Sequence, residues 1–143
     1  MTFLLDVNVL IALIDRSHVQ HDLAHDWFAR EGASAWASCP ITENGVLRIV
    51  GQSRYPNSPG PPSVVVPLME TMCALDGHVF WADDISLLDE SKLDATLLRH
   101  SAQVTDSYLL ALAKAHGGKL ATLDRHLITT AIDDGANSLC LIA

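Results

Sequence analysis

The sequence has few cysteines, no long apolar run and few basic residues, and each shortage excludes a class of protein. Its cysteines, Cys39, Cys73 and Cys140, are odd in number and show no paired spacing. We therefore expect free thiols in a reducing compartment, not a disulfide framework or a cysteine-ligated metal site. No apolar run reaches the roughly 18 residues that span a membrane, and the N-terminus lacks the basic start and long apolar core of a signal peptide. We expect a cytoplasmic protein with no membrane association.

Positive charge is scarce. The chain has 9 Lys and Arg against 17 Asp and Glu, a net charge of −8 at pH 7, which argues against broad electrostatic binding to nucleic acid. Apolar residues make up 49% of the sequence, which is typical of a globular protein. Since 143 residues can bury a core of their own, we expect one domain spanning residues 1–143.

Short apolar segments alternate with amphipathic ones along the chain. The predicted strands are residues 3–5, 34–38, 78–81, 120–123 and 138–142. The predicted helices are residues 7–14, 18–28, 40–50, 64–75, 92–100 and 105–116, with a short one after 124. Strands separated by helices indicate a three-layer α/β/α domain with a mainly parallel five-stranded sheet. The proline-rich segment 51–63 is expected to be a surface loop.

The clearest helix–strand unit runs from Thr105 to Asp124. Thr105 is predicted as the N-cap of a helix with a continuous apolar face, and a pair of glycines ends that helix. The buried strand 120–123 follows directly. Asp106 therefore lies at a helix N-terminus and Asp124 at the carboxyl end of a strand. In a parallel α/β sheet these two places share the edge where ligands bind.

Two more acids occupy equivalent positions, because Asp6 follows the first strand and Glu43 lies in the first turn after the second. Any one of these acids alone is explained as a helix cap or a complement to the helix dipole. Two carboxylates ~4 Å apart, however, repel by about 4 kcal/mol at an effective dielectric of 20. A divalent cation removes this repulsion, and all-oxygen ligands favour Mg²⁺ or Mn²⁺. Convergence of four acids thus predicts a metal site that activates water and holds a phosphate.

Four motifs contain these acids. They are Leu4–Leu10 (LLDVNVL), Cys39–Gly45 (CPITENG), Thr105–Leu110 (TDSYLL) and Thr122–Asp124 (TLD). In order and spacing the motifs resemble the PIN-domain ribonucleases, and among them the VapC toxins of bacterial type II toxin–antitoxin systems. The resemblance covers nearly the whole chain and implies a Mg²⁺- or Mn²⁺-dependent endoribonuclease. It implies that the metal is held by an acidic quartet, Asp6, Glu43, Asp106 and Asp124. It also gives Asn8 and Thr105 supporting roles.

The resemblance further implies a homodimer, a cognate VapB-type antitoxin whose tail covers the active-site groove, and an RNA substrate such as a tRNA or rRNA loop. Metal bound by the acids would cancel much of the negative charge. Arg48 and Arg125, which are close in sequence to site acids, are then the expected phosphate contacts. Binding would be local and shape-based, as for a single-stranded loop in a structured RNA. Whether the loop 51–63 contacts RNA stays open.

Two other classes of protein are possible. A phosphatase of the haloacid dehalogenase type uses an Asp after the first strand as a nucleophile, but it needs a second Asp two residues later. This chain has Asn8 there, and Glu43 would have no role. A catalytically silent PIN-like binding module is the other alternative. It gives no reason for mutually repelling acids to lie together.

Two patterns near the N-terminus have more than one interpretation. Imidazoles and an acid recur at helical spacing in His18, His21, Asp22 and His25. This spacing would suit zinc, but a solvated helix face is the favoured explanation. Apolar side chains are dense at Leu10, Leu13, Ile14, Leu23, Trp27 and Phe28. Part of that surface is expected to face an antitoxin or a second subunit, with burial in the core as the alternative.

Overall fold

The computed structural model describes residues 1–143 and contains one five-stranded sheet. The strands are β1 (Phe3–Leu5), β2 (Trp36–Ser38), β3 (His78–Phe80), β4 (Lys119–Thr122) and β5 (Leu139–Leu141). Their order across the sheet is β3-β2-β1-β4-β5, and every neighbouring pair is parallel. The chain moves outward from β1 through β2 to β3 and then returns to β4 on the other side. The gap between β1 and β4 is therefore a topological switch point, where ligands bind in open α/β sheets.

The sheet is accompanied by five α-helices. They are α1 (Val7–Ile14), α2 (His21–Trp27), α3 (Pro40–Val50), α4 (Pro62–Cys73) and α5 (Gln103–Ala115). A π-helical turn, Phe28–Gly32, continues α2, and short 3₁₀ turns occur at Ala95–Leu97 and Gly135–Ser138. None of the helices combines the length and apolar character needed to cross a membrane.

The core lies on both faces of the sheet because successive strand residues point in opposite directions. Leu4 and Leu120 are register partners and lie in a buried cluster with the apolar face of α5. Leu5 and Ala121, the next pair, lie in a second cluster with residues of α1 to α4. Helices on both faces of a parallel sheet form the predicted three-layer α/β/α architecture, which is confirmed.

Two predicted helices are wrong. Residues 92–100 form turns around the single 3₁₀ turn Ala95–Leu97. The Asp94 carboxylate accepts from the Thr96 backbone N–H, and Gln103 Oε1 accepts from the N–H groups of Arg99 and His100. These side-chain oxygens accept hydrogen bonds from backbone N–H groups that would bind backbone carbonyls if the segment were a helix. No α-helix follows residue 124 either: the Asp124 carboxylate accepts from the His126 backbone N–H in a turn, and the only helical segment before β5 is the 3₁₀ turn Gly135–Ser138.

The predicted cap of α5 is also wrong. The helix begins at Gln103, two residues earlier than expected, and its N-cap position makes no side-chain hydrogen bond. Gln103 is buried and binds the backbone that leads into the helix. Thr105 therefore lies inside the first turn and not at its start.

The N-terminal apolar residues belong mainly to the core. Leu10 and Trp27 are buried, and the others pack against the cluster beneath α1 to α4 as partly buried side chains. Large exposed apolar residues occur instead on α4 and β3, at Val64, Val66, Leu68, Val79 and Phe80. The imidazoles near α2 are used locally: His21 Nδ1 lies 2.7 Å from the Ala12 carbonyl oxygen. The cysteines are free thiols, as expected.

Candidate active site

Asp6 connects the end of β1 to the start of α1. Its backbone is extended, and Oδ1 accepts from the Val7 N–H at 2.8 Å, so Asp6 is the N-cap of α1. Its other oxygen, Oδ2, accepts from the Thr122 hydroxyl at 2.8 Å. The residue is only 7% exposed. Burial raises the pKa of this carboxyl and the charge of Asp124 adds to the rise, while the bonds from Thr122 and Val7 oppose it.

Thr122 organises the polar side of the β1–β4 switch point. Besides donating to Asp6, its Oγ1 accepts from Asn8 Nδ2 at 3.3 Å and from the Asp124 backbone N–H at 3.1 Å. Asn8 also accepts from the Leu123 N–H at 3.3 Å, so it fastens α1 to the end of β4. No role for Thr122 is predicted from the sequence. The available signal was a polar residue ending an otherwise apolar strand two positions before an acid.

Replacing Thr122 by Val should destabilise the protein by about 1–3 kcal/mol, because a buried carboxylate loses its hydroxyl donor and Asn8 loses an acceptor. Urea denaturation measures this loss. The matched control is Thr71→Val, which removes an exposed hydroxyl bonded to the Pro67 carbonyl and should change stability by no more than about 0.5 kcal/mol. Equal effects of the two substitutions would contradict the organising role of Thr122.

Asp106 and Asp124 complete a group of three carboxylates with Asp6. Asp106 lies in the first turn of α5, and Asp124 lies two residues beyond β4, where its Oδ1 accepts from the His126 N–H at 2.8 Å. The pKa of Asp106 is raised to about 6, mainly by burial and in addition by the negative charges of Asp6 and Asp124. Asp6, at the end of β1, therefore lies close enough to Asp106 and Asp124 for their charges to interact, although it is more than 90 residues away in sequence.

The donor set suits a hard divalent cation. Its members are carboxylates, and the pKa of Asp6 and of Asp106 is raised first by burial and in addition by the negative charge of neighbouring carboxylates. A cation among these oxygens removes the repulsion and compensates the lost hydration. Oxygen-only ligands favour Mg²⁺ or Mn²⁺ over softer metals.

Glu43 lies at the same edge, in the first turn of α3 after β2, but its carboxylate has different partners. Its Oε2 accepts from the Ser38 hydroxyl at 2.6 Å, and the same hydroxyl lies 2.8 Å from His78 Nε2. Burial raises the pKa of the nearby Cys73 thiol, as does the charge of Glu43, whereas burial lowers the pKa of His78. Of the predicted quartet, Asp6, Asp106 and Asp124 are therefore close enough for their charges to interact, whereas the Glu43 carboxylate accepts a hydrogen bond from Ser38.

The remaining predicted residues lie at the surface. Arg48 on α3 and Arg125, next to Asp124, are both exposed and form no ion pair. Thr105 is exposed as well and makes no hydrogen bond to the carboxylates. The guanidinium groups are thus free for an external anion, whereas no contact supports a positioning role for Thr105.

A profile of the PIN domain matches residues 3–133 of the chain. Ribonuclease VapC44 of Mycobacterium tuberculosis is 44% identical over 132 residues, which cover 92% of each chain. Ribonuclease VapC39 of the same organism is 40% identical over 131 residues, 92% of this chain and 94% of the relative. The chain is a PIN-domain protein of the VapC family. The resemblance inferred from the four motifs is thereby confirmed.

A solved structure agrees with the fold of this VapC-family chain. The crystal structure of M. tuberculosis VapC20, described as a Sarcin-Ricin loop cleaving toxin, has a TM-score of 0.59 over 82% of this chain and 86% of that one. At 11% identity the likeness concerns the fold alone. The phosphatase alternative has lost its basis, because the chain belongs to another family and Asn8 serves to join α1 to β4.

Proposed function

We propose that this VapC-family chain is a Mg²⁺- or Mn²⁺-dependent endoribonuclease toxin of a VapBC-type toxin–antitoxin system. The observation that carries the proposal is the convergence of Asp6, Asp106 and Asp124 beside the β1–β4 switch point, where burial, together with the negative charge of neighbouring carboxylates, raises the pKa of Asp6 and of Asp106. The curated relatives are named ribonucleases. These names support ribonuclease activity for this chain.

The three aspartates would hold the cation, and Glu43 is the fourth acid of the proposed quartet. When bound, the cation supplies positive charge to the phosphate and lowers the pKa of the attacking water. Asp6 is fixed by Val7 and Thr122, so its carboxylate is held in place before any ligand arrives. Fixed ligands of this kind reduce the ordering cost of binding.

The substrate is proposed to be a loop of a structured RNA, such as a tRNA or rRNA. A protein with a net charge of −8 attracts RNA poorly at long range, so recognition must rest on local contacts. Arg48 and Arg125 supply exposed, unpaired guanidinium groups on elements that also carry site acids. They are the proposed phosphate contacts.

We further propose that the protein acts in the cytoplasm as a homodimer and is inhibited by a cognate VapB-type antitoxin. Exposed apolar side chains support association with other chains, because surface apolar clusters mark interaction sites. On this protein they lie on α4 and on the edge strand β3, at Val64, Val66, Leu68, Val79 and Phe80.

Cleavage should leave 5′-phosphate and 3′-hydroxyl ends and should stop in EDTA, because a water activated by metal does not use the RNA 2′-hydroxyl as a nucleophile. Sequencing RNA ends after brief expression in cells, and after incubation of purified protein with RNA and Mg²⁺, measures this. Asp106→Asn is the inactive control. Cyclic phosphate ends, or cleavage that survives EDTA, would instead indicate acid–base catalysis through the 2′-hydroxyl and would contradict the proposal.

A further inference from the structure

A second group of metal-ligating side chains lies one strand away from the three aspartates. Glu43 begins α3, Cys73 ends α4 and His78 begins β3. One carboxylate oxygen, the thiol sulfur and one imidazole nitrogen all lie within 4.8 Å of one another, and all three residues are half-buried. We propose that Glu43, Cys73 and His78 form a binding site for a thiophilic divalent cation such as Zn²⁺, which shares Glu43 with the proposed acidic quartet but contains none of the three aspartates.

The ligand types decide which cation this group would take. Thiolate and imidazole are soft or borderline ligands that favour Zn²⁺, whereas Mg²⁺ prefers oxygen. In a tetrahedral zinc site with bonds of about 2.0–2.3 Å, ligand atoms are separated by roughly 3.4–3.7 Å. The three atoms here lie within 4.8 Å of one another, and side-chain rotation of the half-buried residues would have to bring them to these separations. Three protein ligands leave the fourth position for water.

The contacts around the three ligands resemble the support that metal ligands receive in proteins. Ligating imidazoles usually donate their second ring N–H to a backbone carbonyl or carboxylate, and ligating carboxylates accept further hydrogen bonds. The His78 ring lies beside the Cys73 backbone, and its Nε2 is 2.8 Å from the Ser38 hydroxyl. Ser38, which is fully buried, donates to Glu43 and lies 3.9 Å from the Cys73 sulfur. The Ser38 hydroxyl is therefore adjacent to all three proposed ligands.

The position of the group suggests what its occupation does. Cys73 and His78 flank the short connection 74–77 between α4 and the edge strand β3, and Glu43 belongs to the β2–α3 turn. A cation would cross-link these two parts of the chain and stabilise the folded state by mass action. It would also engage Glu43. If the proposed function holds, Zn²⁺ should therefore inhibit Mg²⁺-dependent cleavage, although binding itself does not depend on that function.

The test uses Zn²⁺ competition with a chromophoric chelator, and Co²⁺ as a spectroscopic probe, on the full chain. We expect one bound Zn²⁺ per chain, a Co²⁺–thiolate absorption band, and a rise of about 5–10 °C in Tm at 100 times Kd. Cys73→Ser and His78→Ala should each weaken Zn²⁺ binding by at least about 100-fold. Cys73→Ser should also remove the thiolate band.

Two controls make the result specific. Cys140→Ser alters another half-buried thiol and should leave Zn²⁺ affinity and the Co²⁺ band unchanged. Asp106→Asn should abolish cleavage yet retain Zn²⁺ binding, which separates Zn²⁺ binding from metal binding by the three aspartates. If His78→Ala does not fold, Cys73→Ser decides the matter. No stoichiometric Zn²⁺ binding, or binding that is insensitive to Cys73→Ser, would overturn the proposal.

Discussion

At pH 7 in EDTA, Asp106→Asn should unfold at a temperature about 3–5 °C higher than the wild type. The substitution removes one of three mutually repelling carboxylates while keeping the size of the side chain. The pKa of Asp106 is about 6, raised from 3.8 by burial first and then by Asp6 and Asp124. The full shift overstates the gain in stability because this side chain is half-exposed. After allowance for solvent screening we expect about 1–2 kcal/mol.

The pH dependence of stability is an independent test of whether the Asp106 charge destabilises the folded apo protein. A raised carboxyl pKa means that the folded state holds more protons than the unfolded chain between pH 3.8 and about 6. The contribution of Asp106 to the stability of the apo wild type should therefore fall as pH rises through that window and stay at the lower level above it. The pKa of Asp6 is also raised and acts in the same direction. The stability of Asp106→Asn should fall less than that of the wild type over the same pH range.

Thermal melts from pH 3.5 to 8, in EDTA and in Mg²⁺, measure both effects. The control is Asp26→Asn, which removes an exposed acid from α2 and should shift Tm by no more than about 2 °C. Mg²⁺ should stabilise the folded protein because it binds only the folded site. The stabilisation should be larger for the wild type than for Asp106→Asn, because the variant lacks one of the proposed carboxylate ligands. A variant that is less stable than the wild type in EDTA would show that the three acids do not repel one another.

RNA cleavage should fall on the order of 10²–10³-fold in Asp106→Asn and in Asp124→Asn, because either change removes a negative charge needed to hold the cation that stabilises the transition state. Asp26→Asn should cleave at the wild-type rate. Single-turnover kinetics with saturating Mg²⁺ separate this loss from changes in RNA binding. Circular dichroism confirms that each variant is folded. Cleavage within about threefold of wild type in both aspartate variants would remove these acids from the reaction.

Much of the fold follows from local sequence pattern. The strands are short apolar runs between helical periodicities, and parallel pairing then places Asp6, Asp106 and Asp124 at one edge. The segment 92–100 shows the limit of such reasoning. Its composition permits a helix, but the carboxylate of Asp94 and the amide of Gln103 bind its backbone donors. Those competing bonds depend on where α5 begins, which local spacing does not reveal.

The position of Glu43 was predictable, but the partners of its side chain were not. Strand β2 pairs with β3, so Ser38 and His78 come together from positions 40 residues apart in sequence. The sequence predicts plain thiols at the cysteines and offers a spacing that suits zinc only at the histidines near α2. Cys73 and His78 are five residues apart, which matches no common zinc-binding motif. The third proposed ligand, Glu43, lies in the turn after the neighbouring strand β2, so spacing along the sequence does not reveal the group.

Mg²⁺ titration by isothermal calorimetry, comparing the wild type with Asp106→Asn at pH 7, tests the central claim most directly. Mg²⁺ does not favour the thiol-containing group, so its binding reports on the aspartates. One binding event in the wild type, weakened at least about tenfold in Asp106→Asn and unchanged in Asp26→Asn, is the predicted result. Equal Mg²⁺ affinity in wild type and Asp106→Asn, or no binding to either, would contradict a shared metal site.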